Sequence, residues 1–400
     1  MMSTLTALDV ASGIPVGAVS ARLGAGSTSG SADASPGQPS GGRGMLRAAL
    51  EAAIRPALQR QPCFVAFSGG RDSSVVLAVA DRLAQREGLA RPVALTARFP
   101  GAPATDESAW QERGVGWLGI EAWQRVSLAV EEVEAIAPPM RTVLRRHGLL
   151  YPANLGLLLA LLQRAGVGSL ITGLGGDELL GAWRHHGAAD LLAGRRRGDL
   201  RAIVRPLVPR PLLRERAARR PSDHGVAVAT WLAPVAARSH ARSLAAELAE
   251  EPHAWSARVR WKARRRRLAL MRHALDRLAG DTGTLFVHPL LDPAAVEALA
   301  RAGGLRGFGD RGATLRALFG DLLAPDVLGR PTKAHFDDVF WGPTTRAFAR
   351  RVLAEGDLAV PELLDRRRLA EAWTSARPPA VSLLLLQASW LATSEPARAA

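Results

Sequence analysis

The chain has 400 residues, 48% hydrophobic content and a formal net charge of +15, enough for two or three domains around a sizeable core. Its single cysteine, Cys63, excludes an intrachain disulfide and a Cys-rich metal site and fits a reducing cytoplasm. The longest apolar runs, 155–162 and 381–386, are too short to span a bilayer, and no secretory pattern opens the chain. Of 52 basic residues all but Lys262 and Lys333 are arginine. A lysine kept in so biased a chain marks a place that needs a compact point charge.

Residues 1–44 are rich in Gly, Ser, Ala and Pro and read as a flexible arm, 24–44 most clearly. An amphipathic helix is expected over 45–60. Residues 64–67 then form a short apolar strand that runs into Ser68-Gly69-Gly70-Arg71-Asp72-Ser73-Ser74. Beyond the turn, Val75, Val76, Val79, Ala80 and Leu83 continue at helical spacing to about residue 87. A strand, a glycine turn and a helix aim backbone N–H groups and the positive helix end at one point, which suits phosphate. Gly69 and Gly70 let the backbone approach an anion, and Ser68, Ser73 and Ser74 add hydroxyl donors. Asp72 beside a polyphosphate calls for a divalent cation between them, ordinarily Mg²⁺. The Walker spacing is absent.

Strands are expected over 93–98, 120–128 and 169–172. Helices are expected from 131, stopped by Pro138-Pro139, and over 155–164. This alternation predicts an α/β fold, a parallel sheet with flanking helices and ligands at the carboxyl ends of strands. The stretch 171–181 repeats the pattern of strand, glycine turn (Gly173, Gly175, Gly176), acid and helix. A neighbouring parallel strand would bring Asp177 to Asp72, so that both carboxylates share Mg²⁺. Residues 190–280 read as helical and arginine-rich. The run Arg264–Arg267 spans a full turn and reads as a solvated or phosphate-lining face rather than a nucleic-acid site, with the tryptophans as core. Residues 288–292 read as a packing turn, 314–323 as a short helix, and 381–391 as a buried helical end. G-x-G-x-x-G matches at 114–119 and 307–312 lack a preceding strand.

In order, S-G-G-R-D-S-S, F-P-G-A-P-A-T-D-E-S, T-G-L-G-G-D-E-L-L-G and R-P-T-K-A-H-F resemble the synthetase domain of asparagine synthetase, over roughly residues 45–345. Asparagine synthetase belongs to the ATP pyrophosphatase superfamily and has β-lactam synthetase and the lasso-peptide macrolactam synthetases as relatives. The resemblance implies an adenine nucleotide alpha hydrolase-like PP-loop domain, 45–190, and a mainly helical C-terminal part, 191–400, that completes the site. It implies that Ser68, Gly69, Gly70, Asp72, Ser73, Ser74, Gly173, Gly175 and Gly176 hold ATP and its pyrophosphate. It implies that Asp72 and Asp177 bind Mg²⁺, and that Lys333 acts with them on the charge that builds as pyrophosphate leaves. In such enzymes a carboxylate attacks the α-phosphate, and an amine then displaces AMP from the acyl-adenylate.

Two features depart from that pattern. Leu174 stands where asparagine synthetase carries a glutamate and β-lactam synthetase a catalytic tyrosine. Leucine neither binds the amino group of aspartate nor accepts a proton, which leaves the general base open among Glu178, His185 and His186. Met2 stands where the family's glutaminase has its cysteine nucleophile, and 44 residues are too few for that domain. The expected protein is a cytoplasmic ATP- and Mg²⁺-dependent amide synthetase acting on a peptide or specialised metabolite to close a macrolactam; its arginine-rich helical half would suit an acidic substrate. Its partners are the substrate and a precursor-peptide-binding protein, with neither membrane nor nucleic acid. One alternative is asparagine synthesis from free ammonia or a separate glutaminase. The other is an inactive basic binding protein.

Overall fold

The computed structural model describes residues 5–18, 39–181, 208–209, 211–212, 214–215, 229–330 and 334–394. At its centre lies β1, Cys63–Ala66, whose first three residues are buried. So apolar a strand suits the interior of a parallel sheet covered on both faces. It pairs in parallel with β2, Val93–Arg98, on one side and with β4, Ser169–Ile171, on the other; Val65 lies opposite both Ala94 and Ile171. β3, Trp123–Ser127, and β5, Leu285–Val287, extend the sheet to the order β3-β2-β1-β4-β5. The chain winds outward from β1 to β3, then returns to β4 on β1's other side. The two strands that carry the glycine motifs therefore flank the switch point, where ligands of such sheets bind.

The helix Arg71–Glu87 follows β1 and buries Val75, Val76, Val79 and Leu83 against the sheet. Each such side chain contributes about 1.5–3 kcal/mol. Gly88 ends the helix at φ +64°, its N–H bonded to the Ala84 carbonyl. The main core runs through Ile54, Leu77, Leu95 and Leu170 to Leu275 and Leu299. Hence β5 and the helices Trp255–Ala263, Arg266–Thr282 and Pro293–Gly303 pack with the α/β part, although they belong to the stretch assigned to the helical C-terminal half. A second core joins Trp231, Trp341, Trp373 and Leu386 under the helical end, where Leu383–Ser394 is largely buried as expected. No helix among the described residues is long and apolar enough to cross a membrane.

Three expectations need correction. Pro138 and Pro139 do not stop a helix; they occupy the first turn of Pro138–His147, where a missing N–H costs nothing. Residues 1–44 are not one flexible arm. The second helix starts at Pro39, and Ala7–Ser12 forms a helix closed by a Thr6/Asp9 capping box. Gly13, at φ +71°, lies so close to the C-terminal helical region that a Cβ would strike the Val381 carbonyl. Trp231 Nε1 donates to the Ala11 carbonyl at 2.8 Å.

The run Arg264–Arg267 is not one solvated or phosphate-lining face: Arg264 is exposed, but the helix breaks there and Arg265, Arg266 and Arg267 meet buried acids. Arg266 donates to Asp9 at 2.7 Å, and Arg267 to Glu247 at 3.1 Å. Arg265 also pairs with Glu247, whose carboxylate accepts from the Gly17 N–H at 2.9 Å. The expected helices of 190–228 lie mostly outside the described residues.

Candidate active site

The first motif leaves β1 at the carboxyl end of the sheet. Gly69 turns at φ +75°, and a Cβ there would sit 3.0 Å from the Gln111 backbone nitrogen. Both the conformation and the space demand glycine. Gly70 caps the helix Arg71–Glu87 without a side-chain hydrogen bond. The positive helix end thus faces the turn, as anion binding requires. The Ser68 and Ser73 hydroxyls lie 3.1 Å apart, and both residues line a cleft of about 510 Å³. Ser74 points behind that wall, its hydroxyl donating to the Gly70 carbonyl at 2.8 Å.

The second motif leaves β4, and its glycines act first on the neighbouring turn. A Cβ at Gly173 would fall 2.8 Å from the Ser73 nitrogen, and one at Gly176 2.2 Å from Asp72 Cγ. Gly175 turns at φ +95° against Leu291. Gly173 and Gly175 line the cleft; Gly176 fits the second turn against the first, and Gly69 fits the first turn against the helix that carries Gln111. The helix Gly176–Leu179 is held from behind by the buried Arg258, which donates to the carbonyls of Leu179 and Gly181, each at 2.9 Å.

Asp72 and Asp177 meet at one side chain. Arg311 Nη2 donates to Asp72 Oδ2 at 2.6 Å, and Nη1 donates to Asp177 Oδ1. One guanidinium thus spans both carboxylates at the cleft wall. Two carboxylates beside serine hydroxyls and a helix N-terminus are a hard-oxygen set that fits Mg²⁺, with phosphate oxygens and water as its further ligands.

A second arginine secures the first turn. Arg330 donates to the Gly69 carbonyl at 3.0 Å and to Glu107, while Arg71 donates to the Arg330 carbonyl. Glu107 also accepts from the Ala334 N–H at 2.6 Å. Arg330 and Glu107 are 4% and 8% exposed, so this is a buried pair that binds three segments. Lys333 lies between Arg330 and Ala334, outside the described residues, as do His185 and His186.

Glu178 also lines the cleft. Burial pushes its carboxyl above the usual range, and the charges of Asp177 and Asp72 push the same way. Burial lowers the Lys262 ammonium to about 8 and, separately, the His288 imidazole to about 3. His288 is thus neutral, and its Nδ1 shares a 2.7 Å hydrogen bond with the Thr172 hydroxyl just before the second motif. Cys63, buried in β1, has its thiol raised to about 11, as suits a core residue rather than a nucleophile.

Arg311, Glu107, Arg330 and Arg258 carry no role in the sequence reading. Glu107 and Arg330 stand inside two of the four motifs. Arg311 had one signal: a cation at the first position of Arg311–Phe319 sits at the wrong end of a helix dipole unless an acid faces it.

The family model for asparagine synthase matches residues 45–392. The chain belongs to the asparagine synthase family. No individually curated protein shows significant similarity to it. The match covers all five strands, both glycine motifs, Arg311 and the Arg330 segment. Membership makes the protein an ATP-dependent ligase of the amide synthetase kind, in a family that typically uses Mg²⁺ with ATP.

Proposed function

We propose that this asparagine synthase family member adenylates a carboxylate and joins it to an amine carried by the same peptide or specialised metabolite, closing a macrolactam. The observation that carries this reading is Leu174 on the cleft wall between Gly173 and Gly175. Leu157, Leu158, Leu161 and Phe336 continue the apolar lining. Such a wall offers nothing to the ammonium of free aspartate and suits the apolar flank of a larger acyl substrate.

The first turn, with Ser68, Gly70 and Ser73, holds the phosphates at the positive helix end. Asp72 and Asp177 would hold Mg²⁺, which would supply positive charge opposite the phosphates and the departing pyrophosphate. Lys333 is assigned the same charge from its motif position. The substrate carboxylate oxygen attacks the α-phosphorus and pyrophosphate leaves. The amine attacks the acyl carbon, AMP leaves, and the amine proton passes to Glu178, whose raised proton affinity suits a general base.

The test is ATP–pyrophosphate exchange with Mg²⁺, comparing L-aspartate with peptides that carry Asp or Glu side chains, and with Asp72→Ala as control. Exchange with peptides alone, lost in the control, supports the proposal. Exchange with aspartate returns the protein to asparagine synthesis.

A further inference from the structure

We infer that Arg311 is a tethered counter-ion that holds Asp72 and Asp177 together before metal binds, gives way to the divalent cation, and passes to the nucleotide's phosphates. Its guanidinium makes hydrogen bonds to Asp72 Oδ2 and Asp177 Oδ1. A divalent cation shared by the pair needs the same two carboxylates, so the arginine and the metal compete for one place.

The backbone around Arg311 does not account for that position. Arg311 opens the helix Arg311–Phe319, whose first turn is capped by Asp310 accepting from the Ala313 N–H at 2.7 Å. A cation is disfavoured there by the helix dipole, and the two cleft acids offset the cost. Without the Arg311 guanidinium, the like charges of Asp72 and Asp177 on adjacent turns would oppose each other more strongly.

The neighbouring arginines are held differently. Arg71 donates to the Arg330 carbonyl, and Arg330 to the Gly69 carbonyl and Glu107. These contacts involve neither carboxylate of the pair, and metal entry leaves them in place. The Arg311 side chain is 27% exposed and lines the cleft. Released from the acids, it stays within the cleft as phosphate charge arrives. Its planar set of N–H donors matches phosphate oxygens.

The inference rests on the ATP- and metal-dependent reading above, and two binding measurements on the full chain test it. Mn²⁺ binding without nucleotide is followed by electron paramagnetic resonance. Pyrophosphate binding with Mg²⁺ is followed by calorimetry. Arg311→Met is expected to bind Mn²⁺ about tenfold tighter and Mg²⁺–pyrophosphate about tenfold weaker, with Arg311→Lys between it and the wild type in both. Opposite signs distinguish this role from a structural one, which would weaken both. Unchanged or weaker Mn²⁺ binding in the variants overturns the competition. Unchanged pyrophosphate binding overturns the transfer to phosphate. If Arg311→Met does not fold, the lysine variant decides by the same signs. A wild-type protein that binds both probes while the variants match it removes Arg311 and leaves the ATP-dependent reading standing. A wild-type protein that binds neither removes both.

Discussion

Two of the arginine–carboxylate clusters among the described residues differ in access. At the N-terminal staple, Arg265, Arg266 and Arg267 meet Glu247 and Asp9; the Arg265 and Glu247 side chains are 8% and 5% exposed. At the cleft, Arg311 meets Asp72 and Asp177, with Asp177 52% exposed. The chemistry is the same and the consequence is opposite. A buried cluster closes on itself: its charges cannot change partner without a desolvation cost, so it holds segments together. An accessible cluster can exchange one cation for another. The surplus of arginine therefore says little about ligand binding until burial sorts it.

Removing an acid from each cluster separates the two roles. Asp72→Ala is expected to lower ATP–pyrophosphate exchange by about a thousandfold or more while the melting temperature changes little. Glu247→Ala leaves Arg265 and Arg267 without that carboxylate and is expected to cost about 3–5 kcal/mol of stability by urea unfolding. Its exchange rate at low temperature should stay within about twofold of wild type. A large kinetic loss in Glu247→Ala would mean that the staple also shapes the cleft.

Glu107 tests a place where both roles coincide. Glu107→Gln keeps the shape but removes the charge that Arg330 faces. We expect about 2–3 kcal/mol of lost stability together with a loss of exchange, because the Gly69 turn is no longer fixed. Stability loss with normal exchange would make the pair purely structural.

At neutral pH the smallest effect expected comes from His288, and it grows as pH falls. The His288 imidazole falls from 6.5 to about 3 on folding. The unfolded chain therefore binds one more proton between those values, and stability is lost as pH falls from 6.5 toward 3. His288→Asn should make that slope shallower by up to about one proton, equivalent to about 1.4 kcal/mol per pH unit. An unchanged slope in urea titrations would assign the acid sensitivity elsewhere.

Much of the cleft was legible because its parts are local. β2 at Val93–Arg98, the buried β1, and the glycines before Asp72 and Asp177 each carry their pattern within about ten residues. Strand alternation predicted that the two acids would lie side by side, and the pairing of β1 with β4 places them so. What escaped was long-range or ambiguous. Arg311 reaches Asp72 across 239 residues of chain, and no periodicity reports such a contact. Pro138-Pro139 serves equally as a stop and as a first turn. The arginine run looked like a surface because its partners, Asp9 and Glu247, lie in other segments. The Gly/Ser composition of the first 44 residues concealed a short helix whose capping box lies at Thr6 and Asp9.

The sheet order also sets a timetable for synthesis. β1 and β4 can pair once about 170 residues have left the ribosome. The counter-ion that joins their acids follows 134 residues after Asp177, and Arg330 lies 223 residues beyond Glu107. A nascent chain stalled between these points would carry two facing carboxylates and an unpinned turn. Nucleotide affinity should therefore appear late and abruptly in a series of lengthening chains. The early α/β part meanwhile waits with the apolar surface that Leu275 and Leu299 will cover, which makes it a candidate client for chaperones.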